Sequence, residues 1–262
     1  MKNPTLSRRI GCALLFTGLS IASLTALATP DEIQVYNDDM DDPGNFGLEL
    51  HTNYTLDGSK TPSYAGEVPS HHVLQVTPEL SYGISKTLEA GLYFPPMAIH
   101  SNGSVNENGM RFRLKYIAPH EADSTFYWGL NTEVGYSSIR IAENHWNAEL
   151  RPIFGYRNAA WEFIVNPILG LTLSGTGSRE PEFEPAIKIS RALNGDTRLG
   201  IEHYASLGPL QHLLPASERS YTTYVTADTE IGKAEVNFGI GRGYGNTPDR
   251  WMAKMILGFS FR

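Results

Sequence analysis

The chain has 262 residues, with 21 Lys and Arg against 28 Asp and Glu, a formal net charge of −7 and a mean hydropathy of −0.26. An acidic chain of this kind excludes nucleic acid as the expected partner. A single cysteine rules out a disulfide scaffold, and no stretch beyond the N-terminus is apolar for long enough to make a transmembrane helix.

The N-terminus reads as an export signal. Lys2, Arg8 and Arg9 form a basic start, residues 10–24 are apolar, and Ala26-Leu27-Ala28 offers the small-x-small pattern that a signal peptidase accepts. The apolar run is shorter than the ~20 residues a spanning helix needs. Cleavage after Ala28 takes Cys12 away and leaves 18 Lys and Arg against 28 Asp and Glu, a net charge of −10. Residues 29–45 hold Asp31, Glu32, Asp38, Asp39, Asp41 and Asp42. They read as an acidic periplasmic N-terminal segment, a solvated tail. A calcium site and insertion into a lumen are the alternatives.

From Phe46 to the end, apolar and polar residues alternate with the period of a β-strand. The first strand sets Phe46, Leu48, Leu50, Tyr54 and Leu56 against Glu49, His51, Asn53 and Thr55. The second sets Leu74, Val76, Leu80, Tyr82 and Ile84 against Gln75, Thr77, Glu79 and Ser81, and the third opposes Leu88, Ala90, Leu92 and Phe94 to Glu89 and Tyr93. The fourth interleaves Met110, Phe112, Leu114 and Tyr116 with Arg111, Arg113 and Lys115. Strands five to eight follow over 126–136, 146–157, 161–173 and 182–189, and strands nine to twelve over 198–204, 221–229, 234–240 and 250–261. The expectation is an all-β fold, an antiparallel transmembrane β-barrel of about twelve strands occupying residues 46–262.

Three features separate this barrel from a soluble sandwich. The strands approach the ~10 residues a tilted strand needs to cross a bilayer. Long connections (57–71, 95–108, 137–144, 174–181, 207–219, 243–249) alternate with short ones at Ser85-Lys86, 119–123, Asn158, Asn194-Gly195 and Gly232. Tyr and Trp recur near strand ends, at Tyr54, Tyr82, Tyr116, Trp128, Tyr136, Trp146, Tyr156, Trp161 and Trp251, as the two aromatic girdles of such a barrel require. Pro78, Pro152, Pro167 and Pro185 oppose the reading, because proline gives no donor to a closed ladder. Bulges or strand ends are expected there.

Lipid does not solvate charge, so each strand must turn its ionic residues inward. The candidate lumen lining is Glu49, Glu79, Glu89, Arg111, Arg113, Lys115, Glu133, Glu149, Arg151 and Glu162, with Lys188, Arg250 and Lys254 as further inward bases. Cross-strand ion pairs are expected where the basic fourth strand lies between Glu89 and Glu133. Such a lining suits a channel or transporter for small solutes, with no catalytic residue, metal or cofactor. A charge-filled, non-conducting barrel with a structural or adhesive role is the alternative.

His100-Ser101-Asn102-Gly103 resembles the His-x-Ser-Asn-Gly motif of outer-membrane phospholipase A, where His activates Ser for acyl transfer. Here His and Ser are adjacent, which in a strand sends them to opposite faces. A turn is expected instead, with a lipid hydrolase as the minor alternative. His71, His72, His145 and His212 read as scattered loop histidines.

The run Asp31-Glu32-Ile33-Gln34-Val35-Tyr36 leads into Phe46-Gly47-Leu48-Glu49-Leu50-His51. Then come Val73–Tyr82, Glu89-Ala90-Gly91-Leu92-Tyr93, Leu150-Arg151-Pro152-Ile153, Asn166-Pro167-Ile168-Leu169 and Phe238-Gly239-Ile240-Gly241-Arg242-Gly243. Together these resemble a group of uncharacterised proteobacterial outer-membrane proteins, similar to the transporters named for phenol meta-cleavage pathways. The resemblance implies a twelve-strand barrel, a transport role and a place in the outer membrane. It carries over no functional residue. The last strand, with Trp251, Met255, Leu257, Phe259 and Phe261 on one face, resembles the signal read by the barrel-assembly machinery.

Overall fold

A computed structural model describes residues 32–121, 123–175, 179–194 and 197–261. The export signal, Gly195 of one short turn and the middle of the 174–181 loop lie outside the described residues.

Sixteen strand stretches follow one another: β1 (Phe46–Asp57), β2 (Leu74–Ser85), β3 (Leu88–Tyr93), β4 (Met97–Ile99), β5 (Val105–Glu107), β6 (Gly109–Ile117), β7 (Phe126–Ser137) and β8 (Trp146–Arg157). Then come β9 (Trp161–Asn166), β10 (Leu169–Thr172), β11 (Glu182–Phe183), β12 (Ala186–Asn194), β13 (Thr197–Ser206), β14 (Ser220–Ile231), β15 (Ala234–Gly245) and β16 (Trp251–Phe261). Four consecutive pairs, β3 with β4, β5 with β6, β9 with β10 and β11 with β12, are single strands interrupted once. Each full strand is antiparallel to the next, and β16 pairs along β1 from Phe46↔Phe261 to Asp57↔Trp251. The result is a closed antiparallel barrel of twelve strands. The connection 95–108 differs from its expectation: part of it is the hairpin β4–β5, which prolongs strands three and four, with β4 continuing the ladder along β2 at Leu74–Val76.

The prolines explain the interruptions. Phe154↔Val165 and Leu150↔Leu169 place Pro152 opposite Pro167; Asn166↔Ala186 and Leu169↔Phe183 place Pro167 opposite Pro185. Three prolines thus form one row across strands six to eight. Pro152 and Pro167 share the phase of the hydrogen-bonded pair in which Leu173 N donates to Trp146 O, so two absent donors fall in a single gap. Pro78 stays within β2 and accepts from Phe94 N at 3.1 Å, just before Pro95-Pro96, where β3 gives way to β4. A closed ladder tolerates these prolines because the gaps coincide.

The two faces have opposite chemistry. Leu48, Leu80, Phe112, Phe154, Val165, Ile201 and Val225 are exposed, while Asn53, Thr77, Glu79, Arg113, Asn131, Glu133, Glu202 and Lys254 are buried. That inverts a soluble core, where apolar burial drives folding, and fits a wall bathed in hydrocarbon. All nine aromatic residues named for the girdles are exposed. Ring contacts group them at both rims: Phe46–Tyr82, Tyr116–Trp128 and Tyr156–Phe163 beside the short turns, and Tyr136–Trp146 beside the long loops.

Candidate functional site

The lumen is built by the inward half of each strand's alternation, and it is not empty. Residues 32–42 run inside the barrel from the short-turn rim, where β1 begins, towards the long-loop rim. This differs from the expectation of a solvated tail, and charge is the reason. Residues 32–42 contain five acids and no base, while strands four to six present Arg111, Arg113, Lys115, Arg151 and Arg157 inward.

The contacts run the length of the segment. Near the short turns, Asp41 N donates to Glu89 Oε2 at 2.5 Å, and Ser81 and Ser260 hydroxyls donate to its carboxylate. Asp38 pairs with Arg157 and with His120 Nε2. Lys115 Nζ donates to Asp39 O. At mid-height Asn166 clamps Tyr36: its Oδ1 accepts from Tyr36 N at 2.7 Å and its Nδ2 donates to Tyr36 O at 3.0 Å. The Tyr36 hydroxyl meets that of Tyr93 at 2.6 Å. Its ring lies 4.4 Å from the Arg151 guanidinium, with Lys115 at 5.2 Å and Arg113 at 5.7 Å. Higher up, Arg151 donates to Gln34 O, Lys254 donates to Ile33 O, and Glu32 lies between Arg111 (3.3 Å) and Arg151 (3.6 Å). Apolar contacts fill the rest: Ile33 on Tyr224 and Met252, Val35 on Ile164, Ile168 and Ala186, Tyr36 on Ile117, Tyr127 and Ile153.

The ten candidate lining residues all sit on the inner face. Arg113 donates to Glu79 and Glu89, Arg111 to Glu133, and Arg151 to Glu149. Glu162 accepts from Arg157 and from the Tyr127 hydroxyl. Glu49 stands across the β1–β2 pair from Glu79, beside His51. The expected ion pairs on the fourth strand are present with an exchange of partners. Arg113 lies opposite Glu133 in register but turns to Glu79 and Glu89, leaving Glu133 to Arg111. Arg250 is a correction: it is exposed at the loop rim, one residue before β16, where the alternation has not begun.

Glu32, Tyr36, Asp38, Tyr93 and Asn166 were missing from the candidates. A strand-by-strand charge count would have pointed to the acids, because strand four carries three bases and the segment ahead of the barrel carries the surplus acid. Nothing in the alternation singles out Tyr36 or Asn166.

Two cavities flank the segment, and Gln34 borders both. One of about 400 Å3 lies towards the short turns, lined by Asp41, Glu49, Glu79, Lys188, Asp228 and Glu235 among others. One of about 190 Å3 lies towards the long loops, lined by Ile33, Arg151, Ile168, Tyr204, Tyr221 and Met252 among others. His100 and Ser101 are remote from both, in the turn of the β4–β5 hairpin, where Gly103 N donates to His100 O. His100 Nε2 meets the Asn106 amide rather than Ser101, and burial with Arg140 nearby lowers its pKa from the ordinary value. The loop histidines are scattered: His71 stacks on His72, His145 on Tyr136, and His212 faces Glu180.

A closed twelve-strand barrel with an apolar outer wall, aromatic rims and a charged interior is a transmembrane β-barrel. The solved structures it is similar to agree. An outer membrane channel from Pseudomonas putida F1 superposes with a TM-score of 0.57 at 13% identity, covering 88% of this chain and all of that one. The NanC porin gives 0.53 at 12% identity and the KdgM porin bound to disordered oligogalacturonate 0.52 at 9%, each covering 82% of this chain and 99% of the other. These neighbours are outer-membrane β-barrel channels, and at such identities they show the fold alone. No protein-family model and no curated protein matches the sequence.

Proposed function

We propose that this protein is an outer-membrane channel or transporter for small solutes, constricted by its own N-terminal segment. The observation that carries the reading is the charged lumen with a cavity on each side of residues 32–42, inside a wall that is greasy without. A filled structural barrel has no use for two solvent-sized spaces in line. A place in the outer membrane is supported by the export signal read ahead of residue 29 and by a last strand that resembles an assembly signal. The finer reading, a relative of the phenol meta-cleavage transporters, is supported by the sequence resemblance and by the tyrosines around the upper cavity, which suit a small aromatic solute.

The inner cavity is lined by nine acids and three bases, so cations are favoured over anions. Purified protein in planar bilayers should give discrete conductance steps with cation preference. Deleting residues 32–42 removes five acids and uncovers Arg111, Arg113, Lys115 and Arg151. Larger steps and a reversal potential moved towards anions are expected. Silence of both forms across salts and voltages would overturn the channel reading.

A further inference from the structure

We infer that Glu49, His51 and Glu79 form a binding site for a zinc-class divalent cation on the lumen wall. The inference does not rest on the channel reading. Glu49 and His51 share the inner face of β1, two residues apart, and Glu79 faces Glu49 directly across the β1–β2 pair. Two like charges at such a cross-strand position repel each other unless a cation lies between them.

The distances distinguish a proton from a metal. His51 Nε2 is 3.3 Å from Glu49 Oε2 and 3.3 Å from Glu79 Oε2. A charge-assisted N–H···O bond is shorter, about 2.7–2.9 Å. One N–H shared between two carboxylates makes two long, poorly aimed bonds in place of one good one. By contrast, bonds of about 2.0–2.1 Å meeting at a tetrahedral angle put neighbouring ligand atoms about 3.3 Å apart. The three ligand atoms all lie within 4.8 Å of one another.

The surroundings agree. Glu79 gives its other oxygen, Oε1, to Arg113 Nε at 2.5 Å, which fixes the carboxylate and turns Oε2 towards His51, whose long 3.3 Å contact with it a metal between them would replace. Glu49 Oε2 is buried with no hydrogen-bond partner. His51 and Glu79 are buried, whereas Glu49 is a third exposed and lines the 400 Å3 cavity with Glu79, giving the cation a route in and room for a water as fourth ligand. The mixed nitrogen and oxygen set fits zinc better than calcium, which takes six to eight oxygens.

The test is calorimetric titration of zinc chloride into the chelator-stripped full chain in detergent, its fold checked by heat-modifiable gel mobility. One zinc per chain is expected, undiminished by calcium. Glu49→Gln and His51→Ala should each weaken it by at least about tenfold. His71→Ala/His72→Ala, at the stacked loop pair, should leave it unchanged. Zinc should raise the unfolding midpoint of wild type and not that of Glu49→Gln. If His51→Ala fails to fold, Glu49→Gln, at the more exposed ligand, decides. Absence of stoichiometric zinc binding, or full-strength binding by Glu49→Gln, overturns the site.

Discussion

Tyr36 is the sharpest test of the N-terminal segment's hold on the lumen. It is buried against Ile117, Tyr127 and Ile153, its ring is stacked on Arg151, and its hydroxyl meets Tyr93. Truncating a buried aromatic side chain to alanine costs about 3–5 kcal/mol. The barrel closes through its own strand ladder, so this cost falls on docking of the segment. At 1.4 kcal/mol per factor of ten, the undocked population rises by between about a hundredfold and a few thousandfold. Tyr36→Phe keeps the ring and loses one hydrogen bond worth about 1 kcal/mol, hence about fivefold. The only cysteine is Cys12. In a Cys12→Ser background a single Val35→Cys thiol, buried between Ile164, Ile168 and Ala186, reports undocking through its labelling rate with a membrane-impermeant reagent. The rates should rank Tyr36→Ala far above Tyr36→Phe, and that above Tyr36. Equal rates in all three would refute the argument that these contacts hold the segment, and so would a Tyr36→Ala chain that no longer folds as a barrel.

Two further predictions probe the wall. Val225 is 67% exposed near the middle of β14, so Val225→Arg places a charge in hydrocarbon and should cost about 2–4 kcal/mol, read by denaturant unfolding in liposomes. A loss no greater than that of Val225→Thr would mean that this face does not meet lipid. Gly155 lies directly across the β7–β8 pair from Tyr127, and a Cβ there would fall 1.9 Å from the tyrosine ring. Gly155→Ala should therefore displace Tyr127 and destabilise the barrel by about 1–3 kcal/mol in the same assay; an unchanged midpoint would contradict the close approach.

The barrel was legible because its signal is periodic. A period of two over some ten residues, repeated between long and short connections, specifies strand number, facing and closure before any contact is known. Each residue's inward or outward placement follows from parity, and Glu79, Arg113 and Glu133 fall on the buried inner face. The failures lie where parity has no bearing. Residues 32–42 carry no alternation, so their place in the lumen depended on charge complementarity with strands far along the chain. The choice of Glu79 and Glu89 over Glu133 by Arg113 depends on side-chain reach, which register does not set. The prolines looked like a contradiction because they were read one strand at a time. Their shared row appears only once Phe154↔Val165 and Asn166↔Ala186 fix the relative stagger of three strands.

The filled lumen and the constricted lumen are consequences of one arrangement. Twelve strands enclose more width than their own side chains fill, in contrast to the eight-strand barrels that close on themselves. Arg113, Lys115, Glu133 and Arg151 of strands four to six are buried, and buried charge is tolerable only when paired and hydrogen-bonded. Glu79, Glu89, Glu133 and Glu149 neutralise part of that basic cluster. Glu32 and the carbonyls of Ile33, Gln34 and Asp39 take further donors from Arg111, Arg151, Lys254 and Lys115. The segment therefore stabilises the interior it obstructs. Lining and segment are coupled: a substitution that weakens docking also leaves guanidinium groups facing an open lumen. In such a barrel ionic strength should act on passage through the segment as well as on the permeating ion, because screening weakens the contacts that keep residues 32–42 in place.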